Sequence, residues 1–306
     1  MRVTLDELET FVSVARLGGF TQASRTLHRS QPAISRRIHE LEHALDATLF
    51  ERAGRRVTLT DAGTALLPYA EAALAAVRDG ERAVRDRVDR AGAAQTLRLA
   101  IVGTLADSHI VDALRAFRSR FPHASVDLRT ATSREVSALV RSGDAGLGLR
   151  YFPDPDPTLE SIPLGAEKLF VVVSAAHPVT TPRLPDLRAL GEETWLAFPP
   201  ERGQPDSLGG RLTRQLAAAG LADPAITLVD SLTAQKRLIE AGLGIALMPT
   251  SSVREEVRLG SLRLIDVTAV DARMPVVAVR RTRGYRSTFA TAFLDLLADH
   301  TPELRD

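Results

Sequence analysis

The sequence predicts an α/β chain overall: an N-terminal winged helix-turn-helix, a long linker helix and a larger C-terminal α/β region. Three observations predict it. The first sixty residues hold three short runs with apolar residues at helical spacing, then two short alternating runs about a glycine. A long alanine-rich stretch follows. Beyond it, strand-like and helix-like segments alternate to the end, the pattern of α/β folds. With 306 residues the chain has room for two or three domains at about 100–200 residues each.

Composition narrows the function classes. A hydrophobic fraction of 44% and a charged fraction of 25% are an ordinary globular mix. The formal net charge is only +1, so any nucleic-acid surface must be a local patch. The absence of cysteine excludes disulfides, thiolate metal sites and thiol redox sensing. No segment approaches about 18 continuous apolar residues, so no membrane span and no membrane partner are expected. The start, "MRVTLDELETF", carries acids in its first turns and does not read as a signal peptide. A soluble, cytoplasmic protein is the expectation.

Thr4 and Glu7 form a capping-box pattern ahead of Leu5, Leu8, Phe11, Val12 and Ala15, and Gly18 is a stop signal. Thr21 is expected to cap a second, short helix with Ala23 and Leu27 inward. After a tight turn at His28 and Arg29, Ser30 caps a third helix running to Leu45, with Pro32 in its first turn. That is helix-turn-helix geometry. At about 100° per residue, Ile34, Ile38, Leu41 and Leu45 share one narrow stripe. Pro32, Ser35, Arg36, His39 and His43 gather opposite it.

The third helix admits two chemical readings. His39-Glu40-Leu41-Glu42-His43 matches H-E-x-x-H, the spacing of a zinc-dependent hydrolase. Against this, Arg36 on the same face opposes a bound Zn²⁺, and a hydroxyl, guanidinium and imidazole row suits base edges and phosphates. A solvated face without function is the bland alternative. On the DNA reading, the helical contacts are Thr21, Ser30, Gln31, Pro32, Ser35, Arg36 and His39. Arg52, Arg55 and Arg56 flank Gly54, and Val57 and Leu59 alternate with Thr58 and Thr60. This predicts a β-hairpin wing over Arg52–Thr58 whose arginines lie along the duplex backbone.

These residues carry a family resemblance. Residues 4–63 resemble the N-terminal domain of LysR-type transcriptional regulators. The matching runs are Ser30-Gln31-Pro32-Ala33-Ile34-Ser35, Leu41-Glu42, Leu49-Phe50-Glu51-Arg52 and Leu59-Thr60-Asp61-Ala62-Gly63. One departure is Asp46 where the family usually has Gly; Asp tolerates a left-handed turn better than most residues. In the alanine-rich stretch, Leu67, Ala70, Leu74, Val77, Val84 and Val88 approximate a heptad seam interrupted by Glu81. A helix packed on its own domain is one reading; the resemblance implies a dimerising linker helix.

Farther on, "TLRLAIVG", "SVDLRTA", "AGLGLRYF", "KLFVVVSAAHP", "TWLAFP", "IALMP" and "MPVVAVRR" read as strands. "HIVDALRAFRSRFP", "DSLTAQKRLIEAGLG" and "STFATAFLDLLADH" read as helices, as does "SREVSALVRSG", capped by Ser133 and stopped by Gly143. The alternation argues a parallel sheet. This region is similar to the effector domain of the same family, through Phe117, Phe121-Pro122, Ser142-Gly143-Asp144, His177-Pro178, Ala241-Gly242-Leu243-Gly244-Ile245 and Pro249. Gly146 stands where the family commonly has aspartate.

The resemblance implies a two-lobed, periplasmic-binding-protein-like α/β domain with a cleft between lobes joined by two crossing strands. The expected domains are 1–60 (DNA-binding), 61–92 (linker) and 93–306 (effector-binding), with lobe I about 93–165 and 268–306 and lobe II about 166–267. Ligands of open α/β sheets sit beyond strand ends near helix N-termini. The strand ends point to Thr104, Leu105, Thr130, Thr132 and Ser133 on one side, and to Phe198, Pro199, Ser231 and Leu232 on the other. Hydroxyls and helix-start N–H groups favour a small anionic effector. Arg150 is either its counter-ion or the partner of a nearby acid, and Thr132, Ser133 and Ser231 either bind it or only cap helices.

No G-x-S-x-G, P-loop or G-x-G-x-x-G stands in the chain, so no enzyme and no cofactor are expected; the histidine pair alone offers catalysis. A solute-binding protein is a third reading, opposed by the N-terminal helix-turn-helix. The expected partners are double-stranded promoter DNA and a small-molecule effector. The resemblance adds RNA polymerase and a homo-oligomer, a dimer of dimers.

Overall fold

The structure is a computed structural model that describes residues 3–53, 56–88, 96–106, 108–200, 208–221, 223–270 and 273–300. It divides into two compact units. The first comprises Met1–Ala91 with Arg141–Ala145 and Arg283–Tyr285; the second comprises Gly92–Val140, Gly146–Thr282 and Arg286–Asp306. No described helix is long and apolar enough to cross a membrane.

The first unit opens with three helices: α1 (Leu5–Leu17), α2 (Phe20–Thr26) and α3 (Gln31–Leu45). The capping box of α1 forms as its sequence predicts, with Thr4 and Glu7 exchanging hydrogen bonds. Gly18 ends the helix in the left-handed region at φ 66°. Thr21 does not cap α2: the cap is Gly19, and Thr21 lies one residue inside the helix. Gly18 ends α1 so close to Phe20 that the next helix begins before the hydroxyl can act as its cap. Ser30 does cap α3, accepting from the Ala33 N–H, and Asp46 ends that helix at φ 51°. The Asp46 side chain thus meets the left-handed demand that its position imposes.

Ile34, Ile38 and Leu41 of α3 are buried in a cluster with Phe11, Val14, Ala23 and Leu49. Each such side chain contributes about 1.5–3 kcal/mol on burial. Strands β1 (Phe50–Ala53) and β2 (Arg56–Leu59) pair antiparallel, Phe50 opposite Leu59 and Arg52 opposite Val57. The predicted wing is therefore a hairpin. Residues 54 and 55, and the side chains of Arg52 and Arg56, lie outside the described residues. Phe50 brings its ring to 5.3 Å from Phe11, which anchors the hairpin on α1. Glu42 joins it to α3, its Oε1 accepting the backbone N–H groups of Leu49 at 2.8 Å and Phe50 at 3.3 Å.

Helix α4 (Asp61–Val88) begins at Thr60, whose hydroxyl accepts from the Gly63 N–H. Its expected seam divides in two. Leu67, Ala70 and Leu74 pack into the cluster of the first unit, and Glu71 holds Arg16 of α1 at 3.0 Å. Val77 and Val84 instead lie exposed, as does Tyr69. The first half of the seam thus serves the helix's own domain.

The second unit contains β3 (Thr96–Val102), α5 (Ser108–Arg120), β4 (Ser125–Ala131), α6 (Ser133–Arg141), β5 (Leu147–Tyr151), β6 (Leu159–Ser174), β7 (Arg183–Leu184), β8 (Trp195–Ala197) and α7 (Leu208–Ala218). It continues through β9 (Ile226–Leu228), α8 (Leu232–Glu240), β10 (Ala246–Pro249), α9 (Arg254–Leu259), β11 (Leu262–Val267), β12 (Arg273–Arg281) and α10 (Thr288–His300). The main sheet runs β4-β3-β5-β12-β6-β11-β7, with β10 also on β6.

The expected parallel sheet is corrected to a mixed one. Strands β3, β4 and β5 are parallel, but β12 is antiparallel to β5 and β6, and β10 and β11 are antiparallel to β6. Sequence alternation marks where strands lie but not their direction. The cap of α6 is also corrected: Thr132, not Ser133, closes a capping box with Glu135. The long β6 is the organiser. Its residues 159–168 pair with β12, and residues 169–174 with β10 and β11.

Because Glu42 satisfies two backbone donors with one oxygen, Glu42→Ala leaves both without that acceptor. Chemical denaturation is expected to show a loss of about 1–3 kcal/mol in the first unit, larger than for Glu40→Ala on the exposed side.

Candidate functional site

Two surfaces carry candidate chemistry. On α3, burial of the apolar stripe turns Gln31, Pro32, Ser35, Arg36, His39 and His43 outward, all exposed. Thr21 and Ser30 are exposed beside them, and the Thr21 hydroxyl stands 3.5 Å from the Gln31 side-chain oxygen. Arg37, next to Arg36 in sequence, points elsewhere and pairs with Asp6, which Arg29 also holds. The helix therefore separates a structural cation from an outward one. His39 and His43 gather no third ligand-type side chain: among the described residues no cluster of three or more His, Asp or Glu is placed to hold a metal ion.

The second surface is a cavity of about 840 Å³ in the second unit. Nine of the ten expected effector residues line it. Thr104 comes from the turn after β3, Thr130 from the end of β4, and Thr132 and Ser133 from the start of α6. Arg150 comes from β5, Phe198 and Pro199 from the end of β8, and Ser231 and Leu232 from the start of α8. Leu105 is the correction: it belongs to the hydrophobic core, 4% exposed. The 3-10 turn over Gly103–Leu105 places Thr104 at the cavity and the apolar side chain of Leu105 in the core.

Local geometry explains the convergence. Ser231 accepts from the Ala234 N–H and caps α8, as Thr132 caps α6, so both helix starts border one space. Capping and lining thus coincide in these residues. Thr104 is 7% exposed, and its buried hydroxyl has no hydrogen-bond partner. A buried unpaired polar group costs about 1–3 kcal/mol.

Arg150 is not an open counter-ion. Its Nη1 donates to the Ser137 hydroxyl at 2.7 Å, its Nε to the Tyr151 carbonyl at 3.1 Å, and it pairs with Asp154. Of the two readings open from sequence, the pairing with a nearby acid is the one the structure shows.

Several lining residues escaped the sequence reading. Met274 arrives from β12, far along the chain, and Glu135 was legible only as a helical residue. Phe152 takes φ 58°, a conformation rare for a bulky side chain, while its N–H donates to the Pro275 carbonyl at 2.9 Å. Gly209 opens α7 against β8: a Cβ there would lie 2.1 Å from the Phe198 carbonyl oxygen. The two adjacent glycines at 209 and 210 hid this helix from its periodicity, and the close approach to the strand end explains the first of them.

Comparison with known proteins agrees with this division. The family description "Bacterial regulatory helix-turn-helix protein, lysR family" matches residues 5–64, and "LysR substrate binding domain" matches residues 90–302. The HTH-type transcriptional regulator TfdS of Cupriavidus pinatubonensis is 31% identical over 291 residues, covering 95% of this chain and 96% of its own. A probable RuBisCO transcriptional regulator of Trichormus variabilis is 28% identical, covering 95% of this chain and 86% of its own. Among solved structures, full-length CbnR in complex with its target DNA aligns at a TM-score of 0.60 and 26% identity, covering 98% of this chain and all of that one. An OxyR mutant of Corynebacterium glutamicum aligns at 0.58 and 27%, covering 99% and 95%. With both of its halves matched, in order and along nearly its whole length, this chain belongs to the LysR family of DNA-binding transcriptional regulators, and its second unit carries that family's effector-binding domain.

Proposed function

We propose that α3 enters the major groove of promoter DNA and that the second unit tunes this binding through a small carboxylate effector in its cavity. The observation that carries the first part is the exposed row Gln31, Ser35, Arg36 and His39, presented by a helix that buries Ile34, Ile38 and Leu41 on its other face. Amide, hydroxyl and guanidinium groups at helical spacing suit base edges, while Thr21, Ser30 and Pro32 border the same end of the helix. Arg52, Arg55 and Arg56 on the wing supply backbone contacts that do not depend on sequence. The two roles are separable. Gln31→Ala or Ser35→Ala is expected to cost about 1–3 kcal/mol on the cognate site and to relax preference at particular bases. Arg52→Ala is expected to weaken all duplexes alike and to lower the salt slope by about one. Equal losses on cognate and random duplexes for both groups, in fluorescence anisotropy across a salt series, count against this assignment.

The protein works as a homo-oligomer on this reading, a dimer of dimers. Tyr69, Val77 and Val84 lie within one side of α4 and are exposed, which suits a second copy of the same helix. Two α3 helices then read half-sites about one turn of DNA apart. Effector binding shifts the population between two arrangements, altering the DNA bend and the contact with RNA polymerase. A ligand does this only through different affinities for the two states. The protein is a regulator rather than an enzyme, working in the cytoplasm; the relatives it matches are transcriptional regulators.

For the cavity, the support is the meeting of two helix starts at one space walled by apolar side chains. A thermal-shift screen of small carboxylic acids is expected to yield stabilising ligands, by about 2.7 kcal/mol at a hundredfold excess over Kd. Thr233→Trp, which places a large ring at an exposed lining position, is expected to abolish the shift; hits that persist in this variant bind elsewhere.

A further inference from the structure

We infer that Asp154 sets the charge selectivity of the cavity: by engaging Arg150 it leaves room for a ligand with one carboxylate on an apolar body and excludes dicarboxylates. This deepens, and rests on, the reading of the cavity as the effector site.

Arg150 is the one cationic side chain among the described residues that line the cavity. Its side chain and that of Asp154 are 4% and 8% exposed. Ser137 and the Tyr151 carbonyl take further donors of the same guanidinium. Asp154 is itself held in place: its N–H donates to the Ser161 hydroxyl at 3.0 Å, and its Oδ1 accepts the Asp156 N–H at 2.9 Å. A buried ion pair with its hydrogen bonds satisfied does not exchange partners without leaving a buried charge uncompensated. The cation therefore lines the cavity without offering its charge to a ligand.

The rest of the lining, among the described residues, is no friendlier to a second negative charge. Glu135 and Asp230 bring two carboxylates of their own, one beside each helix start. Glu135 already accepts the Thr132 N–H at 2.9 Å at the head of α6. Each helix start presents about half a positive charge, so the pair suits one ligand carboxylate. Two observations point to a ligand of mixed character: the two helix starts that border the cavity, and the apolar walls of Phe152, Phe198, Pro199 and Met274.

The test is isothermal titration of the full chain with probe pairs that differ by one carboxylate: benzoate against phthalate, and hexanoate against adipate. Wild type is expected to bind each monoacid at least roughly tenfold more tightly than its diacid. Asp154→Asn keeps an oxygen for the Asp156 N–H but removes the charge, so the gap should close or reverse. The double variant Arg150→Gln, Asp154→Asn removes the buried pair together and should keep the wild-type affinity for monoacids. A wild type that prefers diacids, an unchanged ratio in Asp154→Asn, or loss of monoacid binding in the double variant overturns the inference. Wild type binding none of the four probes also counts against it. If diacids win but Thr233→Trp still abolishes binding, the charge inference falls alone; if every probe survives that change, the cavity reading falls with it.

Discussion

Burial of a single stripe on α3 governs the chemistry of the first unit. Ile34, Ile38 and Leu41 occupy successive turns of one face and are almost wholly removed from solvent. Rotating the helix to expose another side would return all three to water, at about 1.5–3 kcal/mol apiece. The polar row therefore faces outward because the apolar row cannot. The same packing fixes the wing, for Phe50 meets Phe11 and Phe20 within this cluster, and Glu42 ties the hairpin backbone to α3. A helix with H-E-x-x-H spacing thus presents its imidazoles beside an outward arginine, with no third ligand-type group placed to complete a metal site among the described residues.

In the second unit the corresponding constraint is the length of β6. One strand pairs with β12 over its first part and with β10 and β11 over its last. Glu167 lies close to this change of partners. It is buried and accepts the Tyr151 hydroxyl at 2.6 Å as well as the hydroxyl of Ser251. Tyr151 lines the cavity, so a lining residue is bonded directly to the strand that joins both sets of partners. The Ser252 hydroxyl donates to the Thr104 carbonyl, a second bond between the segment after β10 and the cavity. Cavity and strand are thus parts of one hydrogen-bonded unit.

The two units use charge differently. The first keeps Arg36 outward and spends Arg29 and Arg37 on Asp6, so local positive character coexists with a near-neutral chain. The second buries a cation and cancels it with a carboxylate four residues on. An outward guanidinium attracts phosphate through solvent, whereas a buried and paired one shapes a cavity without lending it charge.

The sequence by itself determined the elements of the first unit and the face of α3, because helical periodicity, caps and a left-handed Asp or Gly are local properties. Nine of the ten residues it marked for the cavity do line it, since strand ends and helix starts are local signals too. Local signals failed where packing and the choice of partner, rather than spacing, decided the outcome. Thr21 lost its cap to the close succession of α1 and α2. The heptad seam was divided by packing on α1. Strand direction depended on β6 and β12, and the fate of Arg150 on Asp154, whose backbone N–H is held by the Ser161 hydroxyl and whose Oδ1 accepts the Asp156 N–H. Periodicity records which side of an element is apolar; it carries no information about which partner meets that side, and partner choice is what tertiary structure supplies.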